Sequence, residues 1–352
     1  MVEARIDLHV HSSHSEDRER YELPGGTSFV LPFHPTLGPL EVYDLALAAG
    51  MTHVTITDHD TLDGCLEILE RHPDPSRLLT GEEVSCYHRG TLLHIGVYGL
   101  TGEDHAAIHA GIERADAERV CLRHNVPAFL DFCAARGLPV DLKHPLWLRA
   151  EAALTASVVR EILPWFGLVE TINGTRHRWL GEMSAAIVER LGRPGVGCTA
   201  GSDSHTDNVG SAWTLTHGET VAEVLDSLRR GDAQPRGAHG THRLLDGDVR
   251  KCVTSNATGR AGHFAALTDD YVHTMPLLAQ DLLNLLASVG VAGIVTSQLA
   301  MQRRLAKALA PHFAAELSPP VLAPEPTARA ADPPLGDVSD ARTAGGLVHR
   351  HL

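Results

Sequence analysis

Short apolar runs recur along the chain as far as His205, and each run stops at a His, Asp or Glu. Each run has the length of a strand, and most of the segments between them carry apolar residues at helical spacing. Strands that alternate with helices are typical of a parallel sheet. The pattern predicts seven parallel strands in a closed or nearly closed barrel, at about residues 4–9, 53–58, 78–84, 92–97, 139–143, 167–172 and 196–201.

The polar residues at the ends of these runs are of the types that bind metal ions. His9 and His11 point to the same face of their strand because side chains alternate, and two imidazoles on one edge can bind one transition metal ion. A solvated histidine pair is the alternative for this motif alone. Its repetition at further strand ends favours a metal site at one end of the barrel, built by His59, Glu83, His94, His144, Glu170, Asp203 and His205.

The pattern changes after about residue 235, where a Gly-rich polar stretch precedes a helical segment over 273–316. The chain of 352 residues fits one barrel-sized domain with an appendage. We therefore predict a metal-dependent barrel over 1–235 and a mostly helical extension over 236–317. The extension caps the barrel or forms an oligomer surface, and the Pro/Ala-rich segment 318–352 is expected to be a flexible tail.

Composition narrows the classes of function. The net charge is −14, with 44 acidic against 30 basic residues. Nucleic-acid binding usually requires a basic face and is disfavoured. The six cysteines form no Cys-x-x-Cys pair, which disfavours a structural zinc knuckle. No leader and no apolar stretch of about 20 residues is present, so we expect a soluble cytoplasmic protein without membrane contact. A homo-oligomer remains open.

The motifs DLHVHS, TDHDT, GEEVS with LLHIGVYG, DLKHP, VETINGTRH and GSDSH together resemble those of the PHP (polymerase and histidinol phosphatase) family over about residues 5–235. The resemblance implies a distorted seven-stranded (β/α)7 TIM-like barrel, in agreement with the strand count. It also implies nine metal ligands: His9, His11, Glu16, His59, Glu83, His94, His144, Asp203 and His205. Six nitrogen and three oxygen donors suit two or three divalent ions and do not choose among Zn, Mn and Fe.

Two features of this chain depart from the family pattern. Glu16 stands where the family usually has Asp, with Asp17 as the alternative ligand. The connection after it is about 15 residues longer than usual and is expected over the mouth of the barrel, which makes His34 a candidate substrate contact. A loop with a packing role is the alternative.

Further polar residues beside the motifs are assigned supporting roles. Glu82 is expected to be a solvated neighbour of Glu83, because adjacent residues on a strand point to opposite faces. Lys143, Arg176 and Arg178 are candidates to bind substrate phosphate, with surface solubility as the alternative. Carboxylates and amides that orient the ligands, or line the mouth, are expected at Asp7, Asp58, Glu170 and Asn173.

Clustered divalent ions and an anionic substrate predict a metal-dependent phosphoesterase for a small-molecule phosphate ester. The attacking group would be a metal-bridging water or hydroxide, with Asp203 or His205 relaying the proton. Two alternatives remain: phosphodiesterase or 3′–5′ exonuclease-like cleavage of a nucleotide or nucleic-acid end, and amidohydrolase-like cleavage of a C–N bond.

Overall fold

The strands of the chain form three sheets in the computed structural model, which describes residues 2–15, 18–22, 28–32, 35–110, 122–148, 150–257 and 277–317. The strands within these ranges are β1 (Glu3–Ile6), β2 (Arg18–Glu22), β3 (Ser28–Pro32), β4 (Val54–Ile56), β5 (Leu78–His88), β6 (Thr91–Tyr98), β7 (Val140–Leu142), β8 (Leu168–Asn173), β9 (Gly197–Gly201), β10 (Ala212–His217) and β11 (Gln234–Gly237).

Helices connect most of these strands. They are α1 (Pro39–Ala48), α2 (Asp63–Arg71), α3 (Gly102–His109), α4 (Val126–Ala135), α5 (Ala152–Ile162), α6 (Arg178–Leu191), α7 (Val221–Arg229), α8 (His242–Ala257) and α9 (Leu277–Leu309). Short 3₁₀ helices occupy Leu122–His124, Leu163–Trp165 and Ala310–Phe313. None of the helices among these residues is long and apolar enough to cross a membrane.

The largest sheet is mixed rather than parallel. Its order is β4-β5-β6-β7-β8-β9, and β6 runs antiparallel to both of its neighbours. The prediction of an all-parallel sheet was wrong at β6, because β5 and β6 form a hairpin over Arg89 and Gly90. Both residues have positive φ, 50° and 76°, as a two-residue type I′ turn requires. So short a turn leaves no room for the crossover that parallel strands need.

The first strand lies outside the six-stranded sheet. β1 pairs antiparallel with β10, and β10 pairs with β11 in a separate three-stranded sheet that the sequence pattern did not predict. The fold is of the α/β class, but the predicted seven-stranded barrel is not confirmed.

The chain after β1 is nevertheless fixed to the end of β9. Val10 and Ser204 form a parallel bridge, and the Asp203 amide donates to the carbonyl of His9 at 2.7 Å. Gly201 permits this approach, since a Cβ atom there would lie 2.2 Å from the Cβ of His9. The two segments that carry the first and last PHP-like motifs thus lie side by side.

A fully buried ion pair lies inside the sheet beneath that point. The Lys143 Nζ atom donates to Asp141 Oδ2 at 2.8 Å, to the Tyr98 hydroxyl at 2.8 Å and to the Leu8 carbonyl at 2.9 Å. Burial alone would lower the pKa of Lys143, but the Asp141 carboxylate outweighs burial and raises that pKa well above its usual value. Lys143 is 0% exposed, so the prediction that it binds substrate at the mouth is corrected: its amino group is committed to the interior.

Replacing Lys143 with Met should lower the free energy of unfolding by about 3–5 kcal/mol, because it leaves the Asp141 carboxylate buried without an opposite charge. Urea denaturation would measure the change. The matched control is Lys251→Met, which removes a lysine from a partly exposed pair with Asp207 and should cost less than about 1 kcal/mol. Equal effects of the two substitutions would contradict a structural role for the buried pair.

Candidate metal centre

One buried carboxylate lies at the centre of the predicted ligands. Glu83, in β5, is 0% exposed and is surrounded by five imidazoles from four different segments. Its Oε2 atom lies 3.0 Å from His9 Nε2, 3.3 Å from His11 Nε2 and 3.3 Å from His59 Nδ1. Its Oε1 atom lies 3.0 Å from His94 Nδ1 and 3.4 Å from His144 Nε2. Both oxygens of the Glu83 carboxylate would therefore be available to hold metal.

Asp203 supplies a second carboxylate on the other side of the first two histidines. Its Oδ1 atom lies 3.4 Å from the Nε2 atoms of both His9 and His11. Its Oδ2 atom accepts from Thr175 Oγ1 at 2.6 Å and from Asn173 Nδ2 at 3.2 Å, and these bonds fix the orientation of the carboxylate. The backbone of Asp203 has a φ of 52°, and a positive φ in a residue other than glycine is often retained at functional sites.

The structure brings together all the predicted ligands that it describes. They form four overlapping groups whose donor atoms lie within 4.8 Å of one another. The groups are His9-His144-Asp203, His9-His11-Glu83, His11-Asp203-His205 and His59-Glu83-His94. The predicted ligand Glu16, and its alternative Asp17, lie outside the described residues.

Burial and charge act in opposite directions on these groups. Burial raises the pKa of the Glu83 carboxyl, but the surrounding imidazoles outweigh burial and hold that pKa well below its usual value. Burial lowers the pKa of His11, but hydrogen bonds to Asp203 and Glu83 raise it to about 9. For His144 the effect of burial exceeds that of Glu83 and lowers the pKa to about 4. The site therefore stabilises positive charge at its centre without protonating all of its imidazoles.

The hydrogen-bond geometry around His9 is suited to a metal ion at this centre. His9 Nδ1 donates to Glu170 Oε1 at 2.8 Å, so a neutral His9 ring turns the lone pair of Nε2 toward Glu83 and Asp203. A lone pair facing two carboxylate oxygens is repulsive unless a cation lies between them. Three further buried atoms, His11 Nε2, Glu83 Oε1 and His94 Nδ1, face the same space. The donor set fits divalent ions such as Zn, Mn or Fe and does not discriminate among them.

Two of the predicted supporting residues contact the ligands. Glu170 accepts from His9 Nδ1 and, at 3.0 Å, from the His144 amide, so it orients two of the metal-type residues at once. Asn173 joins the Glu170 carboxylate to that of Asp203 through one amide nitrogen.

The other two supporting carboxylates bind the backbone and a hydroxyl. Asp58 accepts from the amide and hydroxyl of Ser12, both at 2.6 Å, and so fixes the turn after His11 rather than an imidazole. Asp7 accepts from the Ser202 and Gly210 amides, both at 2.9 Å, which ties β1 to the loop after β9. The orienting role predicted for Asp58 is thus corrected to a positioning role for the loop.

Among the predicted substrate-binding residues that the structure describes, only Arg176 lies at the centre around Glu83 and Asp203. Its Nη2 atom is 3.3 Å from Asp203 Oδ2, and its guanidinium lies 4.9 Å from the ring centroid of Trp147. Arg178 instead pairs with Glu182 on α6 at 3.4 Å. His34 lies outside the described residues, and Lys143 is buried beneath the site.

A cleft of about 780 Å³, open to solvent, lies against the centre. Sequence analysis did not predict several of the residues that line it. They include Leu92, Trp147 and Thr175 near the strand ends, and Leu245, Asp248, Val249, Cys252 and Gln298 from α8 and α9. No local motif marks the residues of α8 and α9, because they reach the cleft only through long-range packing of the two helices.

Comparison with known proteins supports the resemblance predicted from the motifs. The PHP-associated family model matches residues 182–233, which extend from α6 to the loop after α7. No curated protein matches the chain. The chain thus resembles the PHP family, as its motifs predict.

Three solved structures are similar to this chain and share little sequence with it. An amidohydrolase from Chromobacterium violaceum, with bound sulfate and no metal, is 17% identical, with 63% of this chain and 96% of that chain covered and a TM-score of 0.43. A two-domain protein from Bacteroides vulgatus that contains a predicted PHP-like metal-dependent phosphoesterase is 14% identical, with 71% and 70% covered and a TM-score of 0.40. A candidate metal-dependent phosphoesterase from Bifidobacterium adolescentis is 16% identical, with 63% and 96% covered and a TM-score of 0.40.

Replacing Glu170 with Gln should weaken binding of divalent ions by about 10- to 100-fold, because the amide no longer holds His9 as a carboxylate does. Titration of Zn²⁺ or Mn²⁺ against a competing chelator would measure the affinity. Glu161→Gln is the control, since Glu161 pairs with His88 and Arg89 on the surface. Unchanged affinity in the Glu170 variant would show that the ring of His9 is held in place by other contacts.

Proposed function

We propose that the protein is a metal-dependent phosphoesterase that hydrolyses a small-molecule phosphate ester. The observation that carries the proposal is the convergence of five imidazoles on the Glu83 carboxylate, beside Asp203 and at the floor of an open cleft. When bound, divalent ions at such a centre supply a water of lowered pKa and positive charge for phosphate oxygens. His9, His11, His59, Glu83, His94, His144, Asp203 and His205 would hold them.

An anionic substrate is favoured by the balance of charge. Two or three divalent ions exceed the negative charge of Glu83 and Asp203, and Arg176 adds a further positive group at the same place. A phosphate ester would offset this excess. The guanidinium of Arg176 lies over the ring of Trp147, so it is presented to the cleft with less freedom left to lose when it binds phosphate oxygens.

His205 and Asp203 are the groups suited to move a proton. His205 Nδ1 lies 3.2 Å from the carbonyl of Asp203, and a carbonyl can only accept a hydrogen bond. A neutral His205 ring therefore carries its lone pair on Nε2, where it can bind an ion or accept a proton. Asp203 Oδ1 faces the histidines while its Oδ2 atom is held by Thr175, so the carboxylate presents one fixed oxygen to the centre.

The cleft favours a compact organic leaving group. Trp147, Leu92, Leu245 and Val249 give its walls a strong apolar component, with Asp248 and Gln298 as polar groups farther along the chain. The walls contributed by α8 and α9 limit the space beside the metal-type residues, which favours a small molecule over a nucleic-acid end. Cleavage of a small phosphodiester is the second candidate, and the resemblance to metal-dependent hydrolases keeps C–N cleavage as a third outcome of the test.

The test is a turnover assay on purified protein of known metal content. The substrates are p-nitrophenyl phosphate and bis-p-nitrophenyl phosphate, with Mn²⁺, Zn²⁺ and Fe²⁺ added in turn. We expect release of p-nitrophenol in a metal-dependent manner, and its loss in His9→Ala/His11→Ala. Metal-loaded protein that cleaves neither substrate and no member of a phosphate-ester panel would overturn the proposal and direct the assay to amide substrates.

Arg176→Met should reduce kcat/KM for the phosphate ester by about 10- to 100-fold, the value of a hydrogen bond to a charged group. The loss of a positive donor at the cleft is the physical reason. Arg178→Met is the matched control, because Arg178 lies two residues further along the chain but pairs with Glu182 instead. Steady-state kinetics would measure kcat/KM for both variants. Equal losses of kcat/KM would refute a specific role for Arg176.

A further inference from the structure

A second group of metal-type side chains lies around Glu82, the residue next to Glu83. His105 and His109 are one turn apart on α3, so both imidazoles point to the same side of the helix. His105 Nδ1 lies 2.8 Å from Glu82 Oε2, and His109 Nε2 contacts Glu82 Oε1. The two imidazole rings lie 4.5 Å apart by their centroids.

Glu82 is a carboxylate that needs a cation. It is 0% exposed, although sequence analysis predicted a solvated neighbour, and that prediction was wrong because α3 covers it. Since adjacent residues of a strand point to opposite faces, Glu82 faces away from the centre that Glu83 serves. The histidines that cover it are partly accessible, at 27% and 14% side-chain exposure, so an ion can reach the group from solvent.

The negative charges around Glu82, His105 and His109 favour the binding of a metal cation as well as protonation of the imidazoles. The pKa of His105 is raised by its hydrogen bond to Glu82, and the charges of Glu82, Asp63 and Asp60 act in the same direction. Charges that raise this pKa would equally attract a divalent ion. Two imidazoles and one carboxylate, with donor atoms within 4.8 Å of one another, are a ligand set that zinc uses when one coordination position stays open to water.

We propose that Glu82, His105 and His109 form a second divalent-metal site, suited to Zn²⁺ or a similar ion, that fixes α3 to β5 and is separate from the centre around Glu83. The alternative occupant is a proton on each imidazole, which makes the group a buried ion pair.

The surroundings of His109 predict one rearrangement. Arg123 Nη1 lies 3.4 Å from His109 Nδ1, whereas its other nitrogens bind Asp60 and the Ser85 carbonyl at 2.5 and 2.7 Å. An ion on Nε2 leaves the ring hydrogen on Nδ1, where it faces a second donor. The long contact to Nη1 is therefore the one that opens, and the two short contacts remain.

The experiment is histidine footprinting of the full-length, metal-stripped protein with diethyl pyrocarbonate, followed by mass spectrometry. Stepwise addition of Zn²⁺ should protect His105 and His109 from modification. His88 is the internal control, because it pairs with a carboxylate that is 40% exposed and should react at the same rate with and without zinc. Equal modification of His105 and His109 with and without zinc would overturn the proposal without the need for any variant.

Metal counting in variants provides the second measurement. His105→Gln/His109→Gln, and separately Glu82→Gln, should each bind one zinc ion fewer per chain than the unaltered protein while turnover of the phosphate ester is retained. His88→Gln should bind the full number. Circular dichroism would show whether the variants fold. Folded variants that still bind as many zinc ions as the unaltered protein would contradict the site. If the unaltered protein and all variants lack turnover, the result would count against the proposed phosphoesterase and not against the second metal site, since zinc counts and footprinting do not depend on activity.

Discussion

Burying the carboxylate of Glu83 is the constraint on which the arrangement of the site depends. Removing an ionised group from water costs several kcal/mol even after relaxation, unless opposite charge and hydrogen bonds replace the water. Around Glu83 that compensation comes from five imidazoles delivered by four segments of the chain. The six-stranded sheet, the hairpin of β5 and β6 and the bridge between Val10 and Ser204 all serve to bring those ends together.

Opposite charges also alternate among the buried residues beneath the site. Asp141 pairs with Lys143, whose amino group lies 3.9 Å from Glu170, and Glu170 in turn holds His9. Each group in this series has an oppositely charged or hydrogen-bonding neighbour on both sides. The orientation of His9 is thus set by residues that never face the cleft, and the buried lysine contributes to the site through position rather than through contact with substrate.

Sequence predicted the metal-type residues far better than their surroundings. The ligands stand at the ends of short apolar runs, and that local pattern is visible without a structure. The position of Lys143 also had a local signal, because it precedes His144 and adjacent residues at a strand end tend to point in opposite directions. The antiparallel course of β6 was signalled by a two-residue turn that no crossover fits. By contrast, the cover over Glu82 and the cleft walls from α8 and α9 depend on contacts between segments far apart in sequence, for which no local pattern exists.

Arg176 shows how the cleft remains ready for a ligand despite the ion pair already present. Its contact with Asp203 Oδ2 is 3.3 Å long, and that oxygen already accepts shorter bonds from Thr175 and Asn173. The buried Nε atom of Arg176 has no hydrogen bond among the residues described. A guanidinium presents its donors as a planar fork, and a phosphate offers two oxygens in matching geometry where Asp203 offers one. An incoming phosphate would therefore improve the hydrogen bonding of Arg176 without requiring its side chain to leave Trp147.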